Sequence, residues 1–367
     1  MAADTIARID TFPLRIPFQP GAWPARAGQP PRPPVDSLLV KVTSAQGCEG
    51  WGEALAFEAA PLARAAVEQV IAPLVIGRDA TRIGPLMRVL QQQLHVLGRA
   101  GSLQHALSAL DTALWDIAGK TAGLPLHRLL GGGGPDLACY ASLDGCGDPV
   151  LVRAGVRAAL DDGFTGVKLH ERDAAVVHAA REEAGPGTDL MLDVNCAWPL
   201  AEAREQAARL RDLGLRWLEE PLWPPENYDG LARLRAGCGI PLAAGENVSA
   251  LLDFDRLMNA GAVDVVQPSP AKMGGVSELA KVFAVAAVRN VTVVPHSFYH
   301  GPGLLAAVHV TAALGGPGAL VEWRYSGLEA RACGPAFQPD GGRIEVPQGP
   351  GLGIDPDPAV LDAYLHR

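Results

Sequence analysis

Apolar and polar positions alternate along two early stretches of the chain, residues 5–17 and 37–44, and that period of two predicts strands. Between them runs a Pro-rich, Gly-containing loop that carries Trp23, Arg26 and Arg32. Proline at that density predicts a stiff surface excursion rather than a core element. Gly50-Trp51-Gly52-Glu53 ends a third strand, after which the apolar spacing becomes helical over 60–76, 80–97 and 102–121. A sheet followed by helices predicts an α+β domain.

From Leu137 the pattern becomes strand, helix, strand. Strands are predicted near 137–142, 164–169, 189–194, 215–219, 241–245, 263–267, 291–295 and 319–322, with helices beginning near 148, 173, 199, 226, 250, 274 and 302. Eight strands is the number a closed (β/α)₈ barrel needs. Beyond Arg324 the chain is rich in Gly and Pro, and it ends in a predicted helix at 358–366, a tail expected to return to the N-terminal domain. The expected organisation is an N-terminal α+β domain over 1–130, a barrel over 131–325 and a C-terminal segment over 326–367.

Composition narrows the classes. The 367 residues are 48% apolar and 19% charged, enough to bury a large core. A net charge of −9 argues against nucleic acid or an anionic membrane surface as a partner. No apolar run approaches the roughly 20 residues that span a bilayer, and no signal-peptide core is evident, so the expected compartment is the cytoplasm. The six cysteines, at 48, 139, 146, 196, 238 and 333, form no C-x-x-C pair and are expected to be reduced, mostly buried thiols.

Three carboxylates carry the candidate chemistry. Asp193, Glu219 and Glu246 each close a short apolar stretch, 26 and 27 residues apart. One strand plus its crossover helix takes about 30 residues, so all three are placed at C-terminal ends of successive strands. In a (β/α)₈ barrel those ends converge on one rim. Acids gathered there without matching cations suit a hard divalent ion, Mg²⁺. Unrelated helix caps are the competing account, which the repeated pitch disfavours. Lys168-Leu169-His170 closes the second barrel strand and presents both ionisable side chains on one face. Like-charge repulsion from Lys168 is expected to keep His170 neutral, the form a general base needs.

Ser108-Ala109-Leu110-Asp111-Thr112-Ala113-Leu114-Trp115-Asp116, with Gly119-Lys120 and Pro125-Leu126, resembles the signature helix of the mandelate racemase/muconate lactonizing enzymes, a branch of the enolase superfamily. The resemblance extends from Gly50-Trp51-Gly52-Glu53 to Pro350-Gly351-Leu352-Gly353, nearly the whole chain. It implies a modified TIM barrel of (β/α)₇β type under an α+β capping domain completed by the C-terminal tail. It further implies one Mg²⁺ per subunit, a small-molecule carboxylate substrate whose α-proton is removed to give an enediolate, and a homo-oligomer between dimer and octamer.

Residue by residue, Asp193, Glu219 and Glu246 match the metal ligands, with Glu220 beside them. His170 stands where the family's K-x-K has its second lysine, and His296 matches an acid/base histidine on the opposite face of the substrate. Ser269 replaces the aspartate that pairs with this histidine in mandelate racemase-like enzymes, and the lysine of the muconate lactonizing subgroup is absent too. With only a hydroxyl as partner, His296 is expected to have a lower pKa than an aspartate-paired histidine. Glu322 matches a residue that hydrogen-bonds the substrate carboxylate, as a protonated donor if its site is apolar and crowded with acids; a salt bridge with Arg324 or Lys272 is the competing account. Ser142, Asn195, Ser269 and His300 are candidate substrate contacts, as are Trp23 and Arg26 in the family's lid loop, which also holds Arg32. Ala54-Leu55-Ala56-Phe57 is the expected second lid loop.

Acid/base groups on both faces permit racemisation or epimerisation, or dehydration when a β-hydroxyl leaves. Dehydration of an acid sugar or related hydroxy acid is the favoured expectation. A racemase, an epimerase or a lactone cycloisomerase comes next, and a barrel that binds its ligand without turnover or a metal-dependent aldolase or decarboxylase stands behind these.

Overall fold

The computed structural model describes residues 4–19, 32–335 and 337–366. The early alternating stretches pair as an antiparallel sheet of β1 (Ile6–Ile16), β2 (Val35–Ser44) and β3 (Glu49–Leu55), in that order. Because side chains alternate, β2 serves two cores. Leu38, Val40 and Val42 pack with Leu107, Leu110 and Leu114 of the long helix Ser102–Ala122. Leu39, with Leu14, Ile16 and Trp51, meets Leu328, Val360 and Leu361 of the C-terminal segment. The last helix, Pro358–Tyr364, starts on Asp357, whose side chain accepts the Ala359 N–H.

Helix Ser102–Ala122 holds the molecule together. Ser108 Oγ accepts the Gly274 N–H at 2.7 Å and Asp111 Oδ1 accepts that of Ser277 at 2.9 Å, tying the helix to the barrel. Asp116 accepts from Trp51 N at 2.9 Å and Leu352 N at 2.7 Å, tying it to β3 and the tail. The residues that carry the family resemblance are therefore structural joints.

The barrel strands are β4 (Asp136–Leu143), β5 (Gly166–Leu169), β6 (Asp189–Asp193), β7 (Leu215–Glu219), β8 (Leu242–Ala244), β9 (Val265–Val266), β10 (Thr292–Val293) and β11 (Leu320–Tyr325). They pair in parallel in the order β10-β9-β8-β7-β6-β5-β4-β11. Among the described residues no ladder joins β10 to β11, so the curled parallel sheet has one seam without a ladder, in keeping with the expected modified barrel. The shortness of β10 explains this: it pairs over two residues, and Pro295 just beyond it has no N–H to extend a ladder. Tyr140, Met191, Trp217, Ala243, Val265, Val294 and Leu320 form an apolar core of their own, contributed largely by these strands.

Some elements were not anticipated. A short strand, β12 (Arg343–Glu345), pairs antiparallel with β4, and one-turn helices span Leu126–Leu129 and Pro270–Met273. The helix expected over 80–97 is shorter, Ile83–Gln93 followed by a tight turn at His95–Leu97. All six cysteines are free. No helix among the described residues is long and apolar enough to cross a membrane.

Candidate active site

The strand ends bring the predicted acids together. Asp193 ends β6, Glu219 ends β7 and Glu246 lies two residues beyond β8. Each offers an oxygen, all within 4.8 Å of one another, and among the described residues this is the one acid group so arranged for a metal ion. The Asn195 N–H fixes Asp193 Oδ1 at 2.8 Å, while buried Asp193 Oδ2 is approached, among the described residues, only by His170 Nε2 at 3.3 Å and Lys168 Nζ at 3.7 Å. Glu219 Oε2 accepts from Trp217 Nε1 at 3.0 Å and Gln267 Nε2 at 2.8 Å. Glu220 turns the other way, accepting the Gly245 N–H at 2.9 Å just before Glu246. Asn195, Cys196 and Glu220 all have positive φ, and strained backbone of this kind gathers at functional sites.

Five buried or half-buried carboxylates crowd this rim, and electrostatics records it. Burial, against the pull of Lys168, pushes the Glu219 carboxyl up to about 7, and burial with the Glu246 charge pushes Glu220 up to about 8. A site that strains its own carboxylates toward protonation, with three acid oxygens within 4.8 Å of one another and Asp193 Oδ2 only loosely approached, fits a divalent cation such as Mg²⁺.

Lys168 is fully buried on β5, with Nζ 2.8 Å from both Glu219 Oε1 and Glu322 Oε1 and 3.7 Å from Asp193 Oδ2. Its ammonium also lies 5.9 Å from the Tyr140 ring. Two sequence expectations are corrected here. The partner of Glu322 is Lys168, not Arg324 or Lys272. Burial opposes ionisation of Glu322, yet Lys168 holds its carboxyl below the usual range, so it is a carboxylate and not a protonated donor. Its other oxygen accepts the Ser297 N–H at 2.9 Å.

His170 follows β5, with Nδ1 2.6 Å from the Leu143 carbonyl and Nε2 3.3 Å from Asp193 Oδ2. Burial disfavours its imidazolium, but Asp193 outweighs both burial and Lys168 and lifts the pKa to about 9. The expected repulsion by Lys168 is present but loses to the nearer Asp193. His296 is buried beyond β10, with Nε2 3.0 Å from Glu246 Oε2 and Nδ1 3.2 Å from Ser269 Oγ. Ser269 thus occupies the place expected of it beside His296, and its hydroxyl is hydrogen-bonded in turn to Tyr299 OH.

The other candidates scatter. Ser142 Oγ is buried without a partner on the β4 position level with Lys168, and Asn195 is exposed at the rim. His300 is buried between the guanidiniums of Arg324 and Arg331. Trp23 and Arg26 lie outside the described residues. Arg32 reaches from the same loop to ion-pair with Asp144. Sequence reasoning missed Tyr140, Gln267, Tyr299 and Asp144. Tyr140 and Gln267 stand two residues before Ser142 and Ser269, a period-two signal that was there to be used; Tyr299 and Asp144 lie on irregular segments that give none.

Known proteins give this arrangement its context. Residues 33–131 match the mandelate racemase/muconate lactonizing enzyme N-terminal domain model, and residues 151–360 match the enolase C-terminal domain-like model. The chain is 29% identical to arabinonate dehydratase of Saccharolobus solfataricus over 344 residues, 90% of this chain and 91% of that one. It is 33% identical to D-galactarolactone cycloisomerase of Agrobacterium fabrum over 340 residues, 87% of this chain and 88% of the other. A solved racemase from Streptomyces coelicolor A3(2) with bound magnesium superposes with a TM-score of 0.86 at 26% identity, over 98% of this chain and 100% of that one. The chain belongs to the mandelate racemase/muconate lactonizing enzyme family of the enolase superfamily.

Proposed function

We propose that this enzyme holds one Mg²⁺ per subunit on Asp193, Glu219 and Glu246, removes the proton α to a carboxylate, and dehydrates an acid sugar or related hydroxy acid. The observation that carries the reading is the placement of the two imidazoles: His170 abuts Asp193 and His296 abuts Glu246, so they flank the acid trio. The bound ion would supply positive charge opposite the substrate's carboxylate oxygens and engage Asp193, freeing His170 from its strongest anionic neighbour.

The chain's own groups do the rest. Nδ1–H of His170 donates to the Leu143 carbonyl, so Nε2 is the atom that accepts the α-proton. Lys168 is held rigid by two carboxylates and adds a fixed ammonium where negative charge develops. Ser142 is assigned to the substrate carboxylate, Glu322 to holding the Lys168 ammonium beside it, Asn195 to a hydroxyl at the rim, and Ser269 to orienting His296. His296 then delivers a proton to the departing β-hydroxyl. Ring opening of a lactone by the same acid/base pair is the second reading, favoured by the 33% identity to a cycloisomerase. The same reading makes the enzyme a cytoplasmic homo-oligomer, with residues 1–130 and 326–367 capping a catalytic unit over 131–325.

The test is proton exchange in D₂O, with Mg²⁺, across a panel of acid sugars and α-hydroxy acids. Metal-dependent deuterium incorporation at the α-carbon is expected, lost in His170→Ala and His296→Ala. Failure of every acid to exchange at saturating Mg²⁺ would sink the proposal.

A further inference from the structure

Two residues beyond Glu322 on β11, Arg324 has more donors than acceptors. Its guanidinium is buried and lies 3.5 Å from the centre of the Phe298 ring. Nη2 donates to Asp144 Oδ1 at a long 3.4 Å, and Nη1 stands 3.4 Å from His300 Nε2. Nε is buried and has no hydrogen-bond partner.

His300 cannot make up the deficit. Its other ring nitrogen, Nδ1, lies 3.1 Å from Arg331 Nη1. Burial, with Arg331 and Arg324 on either side, holds this imidazole well below its ordinary pKa, so it is neutral and has one lone pair. A guanidinium only donates, so that lone pair serves one of the two arginines, and the shorter contact belongs to Arg331. Asp144, for its part, is shared with Arg32, which ion-pairs with it and also donates to the Gly145 carbonyl at 2.9 Å. Arg324 and Arg32 thus share the Asp144 carboxylate, while Arg331 donates instead to the Arg324 carbonyl at 2.8 Å. Buried charge left uncompensated is costly, which marks the spot as built to receive an anion.

There is room for one. Arg324 and Arg32 line a cavity of about 280 Å³ together with Phe18, Phe57 and Glu58. Two acids line it as well: Asp36 is ion-paired with Arg15, and Glu58 lies within the field of the same arginine. The spacing also suits. Two residues along a strand advance about 6.6 Å, so Arg324 stands one pleat beyond the Lys168–Glu322 corner. An extended six-carbon chain, with five bonds of about 1.5 Å, separates its terminal carboxyl carbons by roughly 6 Å.

We propose that Arg324, assisted by Arg32, binds the second carboxylate of a dicarboxylic acid sugar whose first carboxylate sits at the Asp193–Glu219–Glu246 trio. This rests on the function proposed above and narrows its substrate class to aldaric-type acids. An arginine offers a carboxylate two parallel N–H donors, a geometry that a terminal hydroxymethyl group cannot match.

The experiment uses the full Mg²⁺-loaded chain and a panel of stereoisomeric aldaric acids, each against its matched aldonic acid. Two quantities are read: the shift in unfolding midpoint and α-deuterium exchange in D₂O. The expected result is a preference for diacids of about 10²-fold in kcat/KM, carried mainly by KM, that collapses in Arg324→Gln. Should Arg324→Gln fail to fold, Arg32→Gln and Arg324→Lys read the same ratio, and the preference of the unaltered enzyme needs no variant. Exchange of aldonic acids as fast as aldaric acids would overturn the inference while leaving the proposed chemistry standing. Diacid-selective stabilisation without exchange would support the inference and overturn the chemistry. Neither stabilisation nor exchange with any acid would overturn both.

Discussion

Gly52 on β3 lies against Ala109 of the long helix so closely that a β-carbon at position 52 would stand 2.7 Å from the Ala109 carbonyl carbon. Backbone cannot yield as a flexible side chain does. Gly52→Ala is therefore expected to destabilise the protein by about 3 kcal/mol, the upper range for overpacking. Gly84→Ala is the contrast, because nothing lies within 4 Å of a β-carbon there and the position is helical. It should be neutral or gain up to about 1 kcal/mol. Urea denaturation of both variants checks the pair.

That contact also shows what was legible in the chain. Gly50 and Gly52 stand out in the sequence, but their reason is a helix more than fifty residues away. The acid trio and Lys168-Leu169-His170 were readable because each sits at the end of its own strand, where local periodicity fixes both position and face. Relations across strands were not readable. The 3.3 Å approach of His170 to Asp193 depends on how β5 registers against β6, and it reverses the expected charge state of the imidazole. The seam without a ladder between β10 and β11 is likewise a matter of lateral pairing, which side-chain periodicity does not encode. β12 is three residues inside a Gly- and Pro-rich tail, too short to show a pattern.

Asp111 gives a pH dependence with a defined sign. It is fully buried at the joint between the long helix and the barrel, and burial raises its carboxyl to about 7 despite the hydrogen bond from Ser277. A carboxyl with a raised folded pKa stays protonated in the native state while the unfolded chain has already lost its proton. Its stabilising contribution is complete below pH about 4 and is lost as pH rises to about 7, at roughly 1.4 kcal/mol per pH unit between them. Asp111→Asn should flatten that fall. Unfolding free energies at pH 5 and pH 7 measure it, and a variant whose slope equals that of the parent would contradict the assignment.

Metal binding should displace protons from the acid cluster. Glu219 and Glu220 have carboxyls pushed up to about 7 and about 8, so both are partly protonated at pH 6.5. Apparent Mg²⁺ affinity should rise between pH 6 and 8, with proton release measurable by calorimetry in buffers of different ionisation enthalpy. At a hundredfold excess over its dissociation constant, Mg²⁺ should add about 2.7 kcal/mol of stability, reversed by chelation and abolished in Glu219→Gln.

Lys168 joins stability to catalysis. Replacing it with Met leaves Glu219 and Glu322 buried without their shared ammonium, a change expected to cost about 3 kcal/mol. The same substitution removes a preorganised charge, so kcat/KM for α-exchange should fall by at least about 10². Lys168→Arg separates the two effects. It returns the charge but not the compact geometry, and should restore stability more fully than rate.

Ser269 and Tyr299 form a chain of two hydroxyls behind His296, where an ionised partner would hold the ring by charge. A neutral hydrogen bond contributes about 1 kcal/mol, so Ser269→Ala should lower α-exchange by no more than about tenfold. The same change strands the buried Tyr299 hydroxyl, which adds a stability loss of about 1–3 kcal/mol. Tyr299→Phe leaves Ser269 in contact with His296 but free to rotate, and a smaller rate loss should follow. Because both residues act through one ring nitrogen, the double variant should cost less in rate than the product of the two single losses. Single-turnover exchange rates for the four proteins close this cycle; strictly multiplicative losses would mean that the two hydroxyls do not act through His296 together.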